Sequence, residues 1–132
     1  MTDSAQSEPV WITVEDCLSF HDKLLARFGG SGGVRDLGLL DLALARPRHM
    51  FAHGSPTLFD MAAAYAHGIV SNHPFVDGNK RSGLLAAALF LEANGVRFAV
   101  AEEDAVVRML ALATDTLTVD DFAVCLRQEC CG

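Results

Sequence analysis

The stretch His73-Pro74-Phe75-Val76-Asp77-Gly78-Asn79-Lys80-Arg81 gathers a base, a carboxylate, a flexible backbone and two cations in one short loop. Histidine titrates near neutral pH and can take a proton from an attacking hydroxyl, so His73 is a candidate general base. A carboxylate suits a hard divalent cation held jointly with phosphate oxygens, which makes Asp77 a candidate Mg2+ ligand. Gly78 lets backbone approach a ligand without a Cβ in the way, and Asn79, Lys80 and Arg81 fall in the first turn of a predicted helix, where free N–H groups bind anions. Cations at a helix N-terminus oppose the helix dipole by a few tenths of a kcal/mol, a cost that a bound polyphosphate reverses. Taken singly, His73 reads more readily as a satisfied end-of-helix histidine and Lys80 and Arg81 as a solvated face. Their convergence on one loop between two apolar helices favours a phosphate-handling site.

The elements that hold this loop are predicted from caps, breakers and periodicity. Thr13 to Asp16 carry a hydroxyl and an acid at helix-start spacing, and Leu18, Leu24, Leu25 and Phe28 form a stripe that stops at Gly29-Gly30. After the turn Gly29-Gly30-Ser31-Gly32-Gly33, Asp36 is placed to cap a second helix with Leu37, Leu40 and Leu44, expected to end at Pro47. Residues 47–56, with Pro47, Gly54 and Pro56, are expected to be irregular and exposed. A third helix is expected from about Thr57 to Asn72, stopped by Pro74. A fourth runs from about Asn79 to Asn94-Gly95 and, apolar nearly all round, should be the central one. Val10-Trp11-Ile12 reads as a small strand or an anchoring segment, Val96 to Val100 as a short extended segment, and two further helices follow Glu102 and Thr118. The expectation is an all-α, compact bundle of about six helices, one domain over residues 1–132 with residues 1–9 frayed.

Composition narrows the function classes. A formal charge of −7 and a pI near 5.0, with 10 basic residues in 132, disfavour direct nucleic-acid binding, which depends on clustered Lys and Arg. Mean hydropathy is +0.26, yet no apolar run approaches the ~18 residues of a membrane span. The N-terminal residues lack the basic start and apolar core of a secretory signal, so a cytoplasmic location is expected. Cys17, Cys125, Cys130 and Cys131 lack zinc-ligand spacing and read as thiols in a reducing compartment. His49 and His53 stand four apart, but the prolines and Gly54 around them argue against the helix that would make them a metal pair.

The loop resembles the Fic/Doc family motif H-x-F-x-[DE]-G-N-[GK]-R at His73, Phe75, Asp77, Gly78, Asn79, Lys80 and Arg81. Upstream, Gly29-Gly30, Gly33-Val34-Arg35-Asp36 with Gly38-Leu39-Leu40, and Ala43 to Pro47 are similar to death-on-curing (Doc) toxins of that family. Phe90-Leu91 and Asn94-Gly95 are similar downstream. The resemblance implies the Fic/Doc helical fold with a small irregular or β flap, assigned to residues 47–56, that adds backbone to a target peptide.

It also implies an ATP-dependent transferase using Mg2+, with His73 as base, Asp77 on the metal, and Gly78, Asn79, Lys80 and Arg81 on the nucleotide phosphates. Phe75 is implied as the structural anchor of the loop, and Arg35 and Asp36 as capping and scaffold residues. AMP-transferring members generally read G-N-G-R-x-x-R, whereas here Lys80 replaces the second glycine and Leu84 the second arginine. Both changes disfavour the AMP-transferring pose of ATP and imply the Doc pose, in which the γ-phosphate faces the target hydroxyl. The function so implied is a toxin kinase that phosphorylates a threonine of elongation factor Tu and arrests translation, restrained by a Phd-type antitoxin. No inhibitory [ST]-x-x-x-E-[GN] segment occurs in the chain. Transfer of AMP to a protein hydroxyl, and a module that grips an anion or partner without transfer, are the alternatives.

Overall fold

The computed structural model describes residues 7–130, and the predicted fraying falls mostly outside that range. Six helices follow one another: α1 (Val14–Phe28), α2 (Leu37–His53), α3 (Leu58–Asn72), α4 (Asn79–Ala93), α5 (Glu102–Ala113) and α6 (Val119–Cys130). The all-α expectation holds. Thr13 and Thr57 each form a full capping box, with Asp16 and Asp60 reaching back to the cap amide, and Asp36 accepts from the Leu39 N–H. Gly29 closes α1 at φ 80°, donating its N–H to the Leu25 carbonyl.

α3 is the central helix, not α4 as its composition suggested. α3 buries Met61 through Ala66, then Gly68, Ile69 and Val70, and packs against α2, α4, α5 and α6. Its alanines let neighbours approach from several sides, whereas α4 leaves Leu84 and Leu85 half-buried and Leu89 exposed. Two glycines set the crossings. A Cβ on Gly68 would come within 3.0 Å of Ala43 Cβ on α2, and one on Gly83 within 3.0 Å of the Ala66 carbonyl oxygen on α3.

Most of residues 47–56 is helix rather than an irregular segment or a flap, and only residues 54–56 lie outside it. α2 runs through Pro47 to His53, so the expected helix end at Pro47 is six residues short. Proline in a helix interior deprives the carbonyl four residues back of its amide partner. Here that carbonyl, on Ala43, lies at the close crossing with α3, where a Cβ on Gly68 would come 3.4 Å from its oxygen, and Pro47 itself is fully buried. Burial and a close helix crossing thus override the local penalty. The same correction places His49 and His53 one helical turn apart with ring centroids at 4.3 Å, but no group of three potential metal ligands exists among the described residues.

Val10-Trp11-Ile12 forms no strand. The Asn94 side-chain amide takes the place of a partner strand, accepting from Val10 N–H at 2.8 Å and donating to the Val10 carbonyl at 3.0 Å. The Ile12 N–H donates to Tyr65 Oη at 3.1 Å. Burial pushes the Tyr65 hydroxyl up to about 12, against a smaller opposing effect of that hydrogen bond. Val96 to Val100 is likewise unpaired chain. Among the described residues the β pairing is one isolated bridge, Val34 with Phe75.

Candidate active site

That bridge ties the glycine-rich turn after α1 to the loop between α3 and α4. Arg35 and Asp36 N–H both donate to the Pro74 carbonyl, at 2.7 and 3.0 Å, and Val76 N–H donates to the Gly33 carbonyl at 3.1 Å. Pro74 and Phe75 are buried beneath, which makes Phe75 the apolar anchor of the loop.

His73 closes α3 in the left-handed region, φ 51° and ψ 56°, with its N–H on the Ile69 carbonyl. A non-glycine residue there costs roughly 1–2 kcal/mol. Arg35 offsets the cost: Nε donates to the His73 carbonyl at 2.6 Å and Nη2 to the Asn72 carbonyl at 2.8 Å. The scaffold role assigned to Arg35 is therefore specific to the backbone of the candidate base. Strain held in place by surrounding contacts is a mark of functional positions. The His73 ring is exposed, and its Nδ1 accepts from Asn79 Nδ2 at 3.3 Å.

Asn79 is buried, and its side chain faces inward rather than toward the cleft. Oδ1 accepts from Phe75 N–H at 3.0 Å while Nδ2 donates to the Phe75 carbonyl at 3.0 Å. The side-chain amide is thus spent on shaping the loop, and what Asn79 can offer an anion is its backbone N–H. Gly78, at φ 79° and ψ 21°, caps α4 without any side-chain hydrogen bond, so the first amides of α4 stay open.

Asp77 is exposed, and its Oδ1 accepts from Gly78 N–H at 2.8 Å. Gly30, at φ 116°, makes room for it: a Cβ there would lie 2.7 Å from Asp77 Oδ2. Arg81 stacks its guanidinium 4.5 Å from the Phe28 ring centroid, which steadies an otherwise mobile cation. Lys80 is exposed.

Asp77, Gly78, Asn79, Lys80 and Arg81 line a cleft of ≈ 310 Å³ whose other wall is Leu84, Val106 and Met109 from α4 and α5. Clefts that hold small molecules start at about this size, and pair an apolar wall with a few convergent polar groups. His73 does not line this cleft; it sits across Asn79 from it. Phe75 lies below. One residue touching the loop had no partner pattern in the sequence and read only as a surface or core residue: His21 of α1, buried, with its ring 3.8 Å from that of Phe75 and Nε2 2.8 Å from the Asp77 carbonyl. Its signal was a polar residue inside the apolar stripe Cys17, Phe20, His21, Leu24.

The Fic/DOC family model matches residues 11–91, from the N-terminal anchor segment to the end of α4's buried stretch. The chain belongs to the Fic/DOC family. Among curated Fic/DOC relatives, Protein kinase doc of Escherichia phage P1 is 34% identical over 118 residues, 89% of this chain and 93% of its own length. Toxin Doc of Mycolicibacterium smegmatis is 49% identical over 74 residues, 54% of this chain but 57% of that protein. This Fic/DOC chain is therefore of the Doc type over nearly its whole length, and no helix among its described residues is long and apolar enough to cross a membrane.

Proposed function

We propose that this chain is the toxin of a toxin–antitoxin module and acts as a kinase, moving the γ-phosphate of ATP to a hydroxyl of a protein target. The observation that carries the reading is the cleft at the open N-terminus of α4, lined by two cations, Lys80 and Arg81, and one carboxylate, Asp77. The open amides and two cations suit a polyphosphate. The donor set also fits Mg2+ brought in with a nucleotide: one protein carboxylate plus phosphate oxygens is how that ion is commonly held. Asp77 would hold the Mg2+, which would supply charge neutralisation on the transferring group.

In the proposed reaction the target hydroxyl oxygen bonds to the γ-phosphorus, the bond from that phosphorus to the β,γ-bridging oxygen breaks, and ADP leaves. His73 takes the hydroxyl proton. With Nδ1 accepting from Asn79, the neutral ring carries its proton on Nε2, so base action at Nε2 requires the other tautomer. The Asn79 contact is at the long end of hydrogen bonding and can be exchanged as substrates settle. Lys80 fills the space a glycine would leave, which favours phosphoryl over AMP transfer. Because P1 Protein kinase doc aligns along 89% of this chain, the kinase reading is preferred to AMP transfer.

The proposed target is a threonine of elongation factor Tu, whose modification arrests translation, and the proposed regulator is a Phd-type antitoxin. The proposal assigns these steps to the cytoplasm and to a single Fic/DOC domain. The test incubates purified protein with elongation factor Tu, Mg2+ and ATP labelled at either the α or the γ position. Label from the γ position alone is expected, and His73→Ala should lower its transfer at least ~100-fold, the usual scale of a lost general base. Label from the α position would replace the kinase reading by AMP transfer. Undiminished transfer by His73→Ala would remove the base from its role.

A further inference from the structure

We infer that His21 is a positioning residue for Asp77, acting through the peptide group that joins Asp77 to Gly78. His21 is 2% exposed on α1, a helix otherwise remote from the loop in sequence. Its ring lies parallel to Phe75, at an interplanar angle of 10°, and a leucine or phenylalanine would fill the same space. What the imidazole adds is a donor. A carbonyl only accepts, so Nε2–H donates to the Asp77 carbonyl at 2.8 Å.

The other polar end of that peptide group is engaged as well, since Gly78 N–H donates to Asp77 Oδ1 at 2.8 Å. The peptide plane therefore cannot turn without breaking both bonds, and the second of these fixes the carboxylate itself. Through one hydrogen bond from α1, the rotamer of Asp77 and the positive φ of Gly78, where α4 begins, are set together. His21 fits closely enough that a Cβ on Gly78 would lie 3.6 Å from Nε2. Besides the Gly33 and Val34 contacts with the loop, α1 and the turn after it thus reach this site through His21 on the Asp77 backbone, Gly30 beside its carboxylate, and Phe28 under Arg81.

The inference rests on the kinase reading for the use made of Asp77, though not for the conformation that His21 imposes. His21→Gln and His21→Met separate the donor from packing. Glutamine places an amide nitrogen the same number of bonds from Cβ as Nε2, and methionine has nearly the same shape without a donor. Amide hydrogen exchange at Gly78 and calorimetric binding of Mg2+–ATP are measured at a temperature where both variants are folded. His21→Gln is expected to stay near the unsubstituted protein. His21→Met should exchange Gly78 N–H about tenfold faster and bind Mg2+–ATP about tenfold more weakly, the scale of one net hydrogen bond. If His21→Met does not fold, His21→Phe, which keeps the ring stack, replaces it. Equal Gly78 exchange in donor and donor-less variants overturns the inference, as does unequal exchange with unchanged Mg2+–ATP binding. Failure of the kinase reading shows separately, as absent γ-phosphate transfer in the unsubstituted protein, and leaves the exchange comparison to decide on His21.

Discussion

Histidines in this chain are sorted by what their ring nitrogens meet. His73 is exposed and strained in backbone, His21 is buried with its proton committed to a carbonyl, and His67 sits between charges on the α2–α3 surface. At His67, burial lowers the pKa first and the adjacent Arg46 lowers it further, with Asp115 opposing. Arg46 Nη1 donates to Nδ1 at 3.0 Å, so Nε2–H faces Ser71 Oγ at 3.2 Å and the ring is held neutral. Since the folded pKa lies below the unfolded one, the unfolded chain binds more protons as pH falls through the ordinary histidine value of ~6.5, and stability drops there. Thermal melts at about pH 7.5 and about pH 5.5 should therefore show a smaller acid loss for His67→Gln than for the unsubstituted protein. An identical loss in both would refute the assignment. At this scale the sequence displayed the loop residues by type and spacing, but not which side chains point inward. Asn79 read as a phosphate contact, and its two bonds to the Phe75 backbone show that its side chain also braces the loop.

Helix ends were legible because capping is local: Thr13, Asp36 and Thr57 announce α1, α2 and α3 through bonds spanning three residues. The end of α2 was not, because Pro47 is accommodated by α3, whose contact with α2 lies some twenty positions further along the chain. Likewise the central place of α3 depends on small residues that let partners close in, a property that apolar content alone does not reveal. Gly83 tests this. Alanine there gains up to ~1 kcal/mol of helix propensity, but its Cβ would press on the Ala66 carbonyl oxygen at 3.0 Å, a backbone atom that cannot turn away. With overpacking costing about 1–3 kcal/mol, a net loss of up to about 2 kcal/mol is expected from urea unfolding of Gly83→Ala. A stabilised variant would show that α3 and α4 are not held at this spacing by glycine.

Across the whole molecule, an acidic chain carrying a formal charge of −7 places two of its 10 basic residues, Lys80 and Arg81, on one cleft. That contrast favours a compact anion over a long polyanion, because the surrounding surface repels the remainder of a nucleic acid. α3 and α4 supply the loop, α1 and its glycine-rich tail brace it, and α5 closes the apolar side of the cleft. Each part bears on one claim, that the nucleotide lies over the first turn of α4. Residue-resolved amide chemical shifts during titration with Mg2+–ATP test it most directly. The largest changes are expected at Asp77 to Arg81, with smaller ones at Leu84, Val106 and Met109. Saturable changes centred on any other surface, with the amides of α4's first turn unmoved, would contradict the account.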